Sequence, residues 1–252
     1  MTWFSPNLPP NKHCFWGSTG GFSQGLYKGL NVNTKSKDDK SHLLANLQQV
    51  AQYFGLNKEN LLLLNQGVSA KVEYITSPSQ DIIWADGAVT DKPQIILCIR
   101  TADCAPVLLA DYKHGIIGAA HAGWRGAFSG IIQNTIELML QKGAEKSDIS
   151  AAVGPCIGQS SYEVDHNFYN QFLDASSTNS QYFLTGKPQH YYFNLEKFCS
   201  DIIRSCGINN VVTSGIDTYT KPDEYYSFRR FTHQNLITEP KCFPTELSAI
   251  TL

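Results

Sequence analysis

The segment TADCAPVLLADYKHGIIGAAHAGWRG, Thr101–Gly126, places a thiol just before one apolar run and an imidazole just after the next, at Cys104 and His121. The link LADYKHG reads as the turn of an antiparallel hairpin between the two runs. In such a hairpin the first strand's start lies beside the second strand's end, so the spacing predicts that sulfur and ring meet. Two chemistries are open to such a pair: ligation of zinc, or a histidine holding a cysteine as thiolate for nucleophilic attack. A buried thiol beside a satisfied histidine is the third reading. Asp103 ahead of the cysteine and GWRG after the histidine weigh toward a site, since they bring charge and permissive backbone to an apparent helix N-terminus.

Those two residues need a scaffold. NLLLL, IILCI, APVLLA and GIIGAA are nearly continuous apolar runs, the pattern of strands covered on both faces. HCFWGS predicts a first strand, and NVVTSG, YYSF and LSAITL predict later ones. A helix is expected from Asp38, with Leu43, Leu44, Leu47, Val50, Ala51 and Phe54 on its buried face and Gly55 after its end. A second is expected as one piece from GWRG to Gly143, and a third from an Asn194 cap through Ile203 to Gly207. The Gly-rich stretch GSTGGFSQGLYKGLN has neither GxGxxG nor Walker spacing and reads as an ordinary loop. The predicted fold class is α+β (α/β layered), with mixed β-sheets covered by outer helices. Residues 1–252 are expected to form a single domain, because no linker, repeat or low-complexity segment divides them.

A formal charge of −2 offers no electrostatic attraction for nucleic acid or an anionic membrane, so a small-molecule partner is expected. The first residues lack a basic region followed by an apolar core, and no stretch approaches ~18 uninterrupted apolar residues; the expected location is cytoplasmic. Seven cysteines without CxxC spacing indicate neither a disulfide framework nor a zinc ribbon. Seven scattered histidines without HxH spacing do not supply the constellation of a copper oxidase. Apart from His121 they are expected in loops or on the surface.

Four blocks carry a family resemblance: TADCAPVLLAD, AAHAGWRGAFSGII, AAVGPCIGQSSYEV and EYYSFRR, with weaker agreement in GGFSQGLYKGLNV, ADGAVT and LSAITL. In this order they resemble the YfiH family, once called multicopper polyphenol oxidases or laccases and now described as purine nucleoside phosphorylases. The resemblance implies a layered fold like that of YfiH-like cysteine hydrolases. It implies a zinc enzyme that cleaves purine nucleosides with phosphate and in several members deaminates adenosine. In the family, zinc is held by two histidines and one cysteine, and Cys104 and His121 fall on two of those positions. The third falls in QGVSAKV, where Val68 stands in place of the histidine. Two further departures are Asp217 in GIDTYT, where many relatives have cysteine, and Pro244–Thr245 where relatives show Gly-Arg. These departures make the chain a divergent paralogue in this reading.

Zinc with three protein ligands activates a water for deamination, whereas phosphorolysis requires cations around the phosphate and the developing charge. With Val68 unable to ligate, the resemblance leaves a weakened zinc site built on Cys104 and His121, with Asp217 as substitute donor. Of the five arginines, Arg125 is assigned with Cys104 and His121 to catalysis, and Arg100, Arg229 and Arg230, with Asp103, to substrate binding. Glu163 and Asp165 are further acid–base candidates, Asp165 equally a helix cap. The alternatives are a metal-free Cys-His hydrolase or amidase and a non-catalytic protein that binds a nucleoside.

Overall fold

The computed structural model describes residues 2–78, 82–237, 239 and 242–252. In chain order the elements are β1 Thr2–Trp3, β2 His13–Trp16, α1 Lys40–Tyr53, β3 Leu61–Leu63, β4 Val72–Tyr74, β5 Gly87–Thr90, β6 Ile96–Thr101, β7 Ala105–Asp111 and β8 Ile116–Ala122. There follow α2 Trp124–Phe128, α3 Ile131–Gln141, β9 Ser150–Val153, β10 Glu163–Asp165, α4 His166–Ala175, β11 Phe183–Thr185 and β12 His190–Phe193. The last are α5 Leu195–Ser205, β13 Asn210–Thr213, α6 Phe228–His233 and β14 Glu246–Ile250.

The α+β class is as expected: three sheets, two of them mixed, with orders β1-β2-β14-β6-β3, β13-β9-β7-β8-β5-β4 and β10-β12-β11. The two larger sheets pack face to face. Phe15, Leu97, Ile99 and Ile250 of one meet Leu108, Ile117, Ala119 and Ala152 of the other. On the outer face of the six-stranded sheet, Val107, Leu109, Ala120 and Val153 pack under α3 and α5. Leu47, Val50 and Ala51 of α1 cover Cys14, Ile96, Cys98 and Ala249 of the five-stranded sheet. Strands β7 and β8 are thus buried on both faces along their whole length, which is why they read as unbroken apolar runs. Each buried Leu or Ile contributes on the order of 1.5–3 kcal/mol, so these layers form a stiff base for the residues at their ends. Among the described residues, no helix is long and apolar enough to cross a membrane.

Four local expectations change. Leu44 is 51% exposed, because Leu43 and Leu47 already fill the sheet-facing stripe of α1. The helix after His121 is two helices: Gly130 takes φ 97°, a left-handed conformation that ends α2 and starts α3. YYSF is not a strand. Its amides bond to the Lys221 carbonyl and the Glu246 carboxylate instead of a neighbouring strand, and Ser227 caps α6. His13 is buried rather than exposed, its ring accepting from the Ser5 amide at 2.8 Å and facing the Pro9 carbonyl at 3.0 Å.

Candidate active site

The β7–β8 register pairs Ala105 with Ala122 and Pro106 with His121. That places Cys104 immediately beyond the paired end, beside the His121 ring, and both residues border one cavity. A Cβ at Gly123 would lie 2.9 Å from Cys104 Sγ, so glycine leaves the thiol the room it occupies. The hairpin geometry read from the sequence is the geometry found.

On its other side, His121 Nδ1 lies 2.8 Å from Oδ1 of the fully buried Asp86. The same carboxylate accepts from the amides of Gly67 at 3.1 Å, Val68 at 2.9 Å and Ser69 at 2.6 Å, and from Ser69 Oγ at 2.7 Å. Asp86 therefore orients the imidazole and pins the 67–69 loop beside it. Sequence reasoning missed this residue, although ADGAVT was among the weaker blocks; nothing local links it to a histidine 35 positions on.

Burial opposes charge on both partners most strongly, yet their mutual contact prevails. His121 is raised to about 9, the nearby Cys104 and the Asp86 hydrogen bond outweighing desolvation. Asp86 is lowered to about 2 by bonds from His121 and Ser69. The histidine's contribution to stability is complete below its ordinary 6.5 and fades as pH rises through 9; the aspartate's is complete above 3.8 and fades as pH falls through 2. In metal-free protein, the melting-temperature gap between wild type and His121→Gln is expected to be widest between these limits and to shrink from pH 6.5 to 9, at about 2–4 °C per kcal/mol. A gap that is constant or widens over that range contradicts the pairing.

Val68 sits across from the thiol, its Cγ1 3.6 Å from the point where a Gly123 Cβ would lie. Its φ is 62°, strained for a β-branched residue by about 1–3 kcal/mol, and the Asp86 hydrogen bonds hold it there. Val68, where the resemblance places a third donor, borders the cavity and carries no ligand atom.

Cys104 and His121 open onto a cavity of about 720 Å³, walled by Ala102, Trp124, Phe228, Ile237 and Phe243 and bordered by Arg100, Arg125, Glu239 and Thr245. Arg125 is exposed at the rim, its guanidinium 4.4 Å above the Trp124 ring. Arg100 is anchored within, donating to the Leu64 carbonyl at 2.8 Å and Thr34 Oγ1 at 3.2 Å, while Gln66 clasps its backbone from both sides.

The other assigned residues serve as struts and do not line this cavity. Asp103 accepts from Thr218 Oγ1 at 2.6 Å, Ser227 Oγ at 2.9 Å and the Arg229 amide at 2.7 Å. Arg229 donates to the Glu163 carbonyl at 2.9 Å. Arg230 donates to the carbonyls of Thr218 at 2.8 Å, Tyr219 at 2.7 Å and Tyr225. Carbonyls of the 218–225 loop and of β10 claim these guanidinium groups. Glu163 pairs with Lys187, and Asp165 caps α4 through the Phe168 amide.

Asp217 does not complete a zinc site. Its oxygens are taken by the Gly158 and Tyr219 amides and by Ser161 Oγ, at 2.9, 2.9 and 2.6 Å. Among the described residues, the one group of three potential ligands within 4.8 Å is Asp111, His114 and Asp148, at the opposite end of the hairpin. Two donors and a valine do not make the three-ligand zinc centre that the resemblance implies.

Residues 12–236 match the family model described as multi-copper polyphenol oxidoreductase laccase. The chain belongs to this family, the YfiH family. YfiH-family relatives include a purine nucleoside phosphorylase of Rickettsia prowazekii, 37% identical over 85% of this chain and 86% of that one. Another, from Deinococcus radiodurans, is 34% identical over 90% and 86%. A solved Neisseria meningitidis structure has a TM-score of 0.86 at 28% identity, covering 98% and 97%. The YfiH protein of Bacillus licheniformis shares the fold, with a TM-score of 0.86 at 24% identity over 95% and 92%. The copper in the family's description finds no cluster of histidines among the described residues, since the three-ligand group contains only one.

Proposed function

We propose that this YfiH-family chain is a purine nucleoside phosphorylase-type enzyme, taking a purine nucleoside and phosphate in the cavity beside Cys104 and His121. The observation that carries the reading is that Cys104, His121, Arg100 and Arg125 share one cavity with aromatic walls. The names of the relatives support the same chemistry. Phosphorolysis breaks the bond from ribose C1′ to the base while a phosphate oxygen bonds to C1′, so the protein must hold an anion and steady a departing base. Arg100 and Arg125 supply cationic charge, and the Trp124 and Phe228 rings offer faces for a flat heterocycle. Only two donors remain for zinc, so its affinity is low, and the adenosine deamination that resemblance implies for zinc-loaded relatives is expected to be absent.

The test pairs elemental analysis of dialysed protein with base release from adenosine and inosine. Expected are zinc well below one per chain and release that requires phosphate. Release that is indifferent to phosphate, or none at any phosphate concentration, rejects the assignment. One observation favours a second reading: Asp86 holds His121, and Cys104 borders the same cavity beside it, an arrangement that a metal-free thiol hydrolase or amidase could use. Stoichiometric, pH-dependent alkylation of Cys104 that abolishes an amidase activity, without phosphorolysis, would select it.

A further inference from the structure

The cavity wall on the side of the five-stranded sheet is built where β6 and β14 run out together. Their register pairs Thr101 with Glu246 and Arg100 with Leu247, so Thr245 follows on opposite Ala102. The chain at 32–34 closes the other flank: the Val32 amide donates to the Thr245 carbonyl, the Asn33 side chain to the Phe243 carbonyl, and Thr34 Oγ1 accepts from Arg100. Arg100, Asn33 and Thr245 thereby border the cavity side by side.

Two of these groups are electrostatically incomplete. Thr245 is 7% exposed, and its hydroxyl is a buried side-chain oxygen with no hydrogen-bond partner. An enclosed polar group in that state is destabilising unless a ligand answers it. Arg100 is half-buried, its bonds go to a carbonyl and a hydroxyl, and among the described residues no carboxylate pairs with it. A partly desolvated guanidinium without a carboxylate partner favours an anion. The carboxylate on this wall, Glu239, is already paired with Lys37 at 2.5 Å. One tetrahedral oxyanion presents the charge that Arg100 lacks and the acceptor that Thr245 lacks.

We propose that Arg100 and Thr245 form an oxyanion subsite that holds a phosphate group in this cavity. The inference rests on the phosphorolysis reading only for the identity of that phosphate as co-substrate, and it separates Arg100 from the other four arginines. A phosphoryl group on a nucleotide offers the same chemistry, so the test carries both.

The experiment titrates inorganic phosphate, and separately adenosine 5′-monophosphate, into wild type, Thr245→Val and Arg100→Gln by calorimetry, with circular dichroism confirming the fold. Thr245→Val is expected to weaken phosphate about tenfold and Arg100→Gln about a hundredfold, the ranges for a neutral and a charge-assisted hydrogen bond, while adenosine binding stays within about twofold. If Arg100→Gln does not fold, Thr245→Val with Arg100→Lys decides. Phosphate binding within about twofold of wild type in the folded variants, or no wild-type binding of either probe up to about 10 mM, overturns the subsite. Variant-sensitive phosphate binding without turnover sustains the subsite and rejects phosphorolysis. Sensitivity to the monophosphate alone sustains the subsite and moves its ligand to a nucleotide.

Discussion

Val68→His is expected to raise zinc affinity about a hundredfold or more and to bring zinc close to one per chain. Binding free energies of roughly 10–16 kcal/mol for protein zinc sites, divided among three or four ligands, assign about 3 kcal/mol to each, and about 1.4 kcal/mol is a factor of ten. The backbone is already in place. Asp86 holds residues 67–69 and also orients His121, so both loop and ring are pre-set by one carboxylate. Histidine is also better suited than valine to φ 62°, being enriched several-fold at positive φ whereas β-branched residues are strained there. The variant is therefore expected to melt no lower than wild type without metal, and higher with it. Adenosine deamination is expected to appear only in the zinc-loaded variant. Equal zinc content in wild type and Val68→His after dialysis would show that the missing donor is not the defect.

The second large effect is structural. Asp103→Ala is expected to lower unfolding free energy by about 3–5 kcal/mol and the melting temperature by about 10 °C. Asp103 is buried with φ 82°, and its carboxylate collects donors from Thr218, Ser227 and the first turn of α6. Burial pushes its carboxyl up, against those donors and the Arg230 guanidinium. Without it, two hydroxyls and an amide lose their partner in a place with little access to water, and the segment leading into Cys104 loses its anchor. Cys104 alkylation is therefore expected to change in rate together with stability, while Arg125→Ala, at the exposed rim, should change stability by no more than about 0.5 kcal/mol. Urea unfolding in which Asp103→Ala costs under about 1 kcal/mol would remove Asp103 from this role.

Much of the molecule was legible in one dimension. The layered α+β class, the apolar strands of the hairpin and the caps Asn194 and Asp165 follow from short-range patterns of residue type, and they stand as read. The meeting of Cys104 and His121 also belongs to that set, because a tight hairpin makes a 17-residue separation a local contact. The single helix expected after His121 broke at Gly130 because helical periodicity continues through a residue whose backbone turns left-handed.

What only the tertiary structure decided was the use to which polar side chains are put. Arg100, Arg229 and Arg230 are alike in sequence and all donate to main-chain carbonyls, yet only the first borders the cavity. Asp217 and Asp86 are both carboxylates within motif blocks, yet one closes a loop and the other orients the site histidine. Apolar periodicity reports which face of an element is buried, since burial depends mainly on area removed from water. Hydrogen bonds are directional and short, so their partners are chosen by how distant segments of chain come together, and no spacing along the chain encodes that choice.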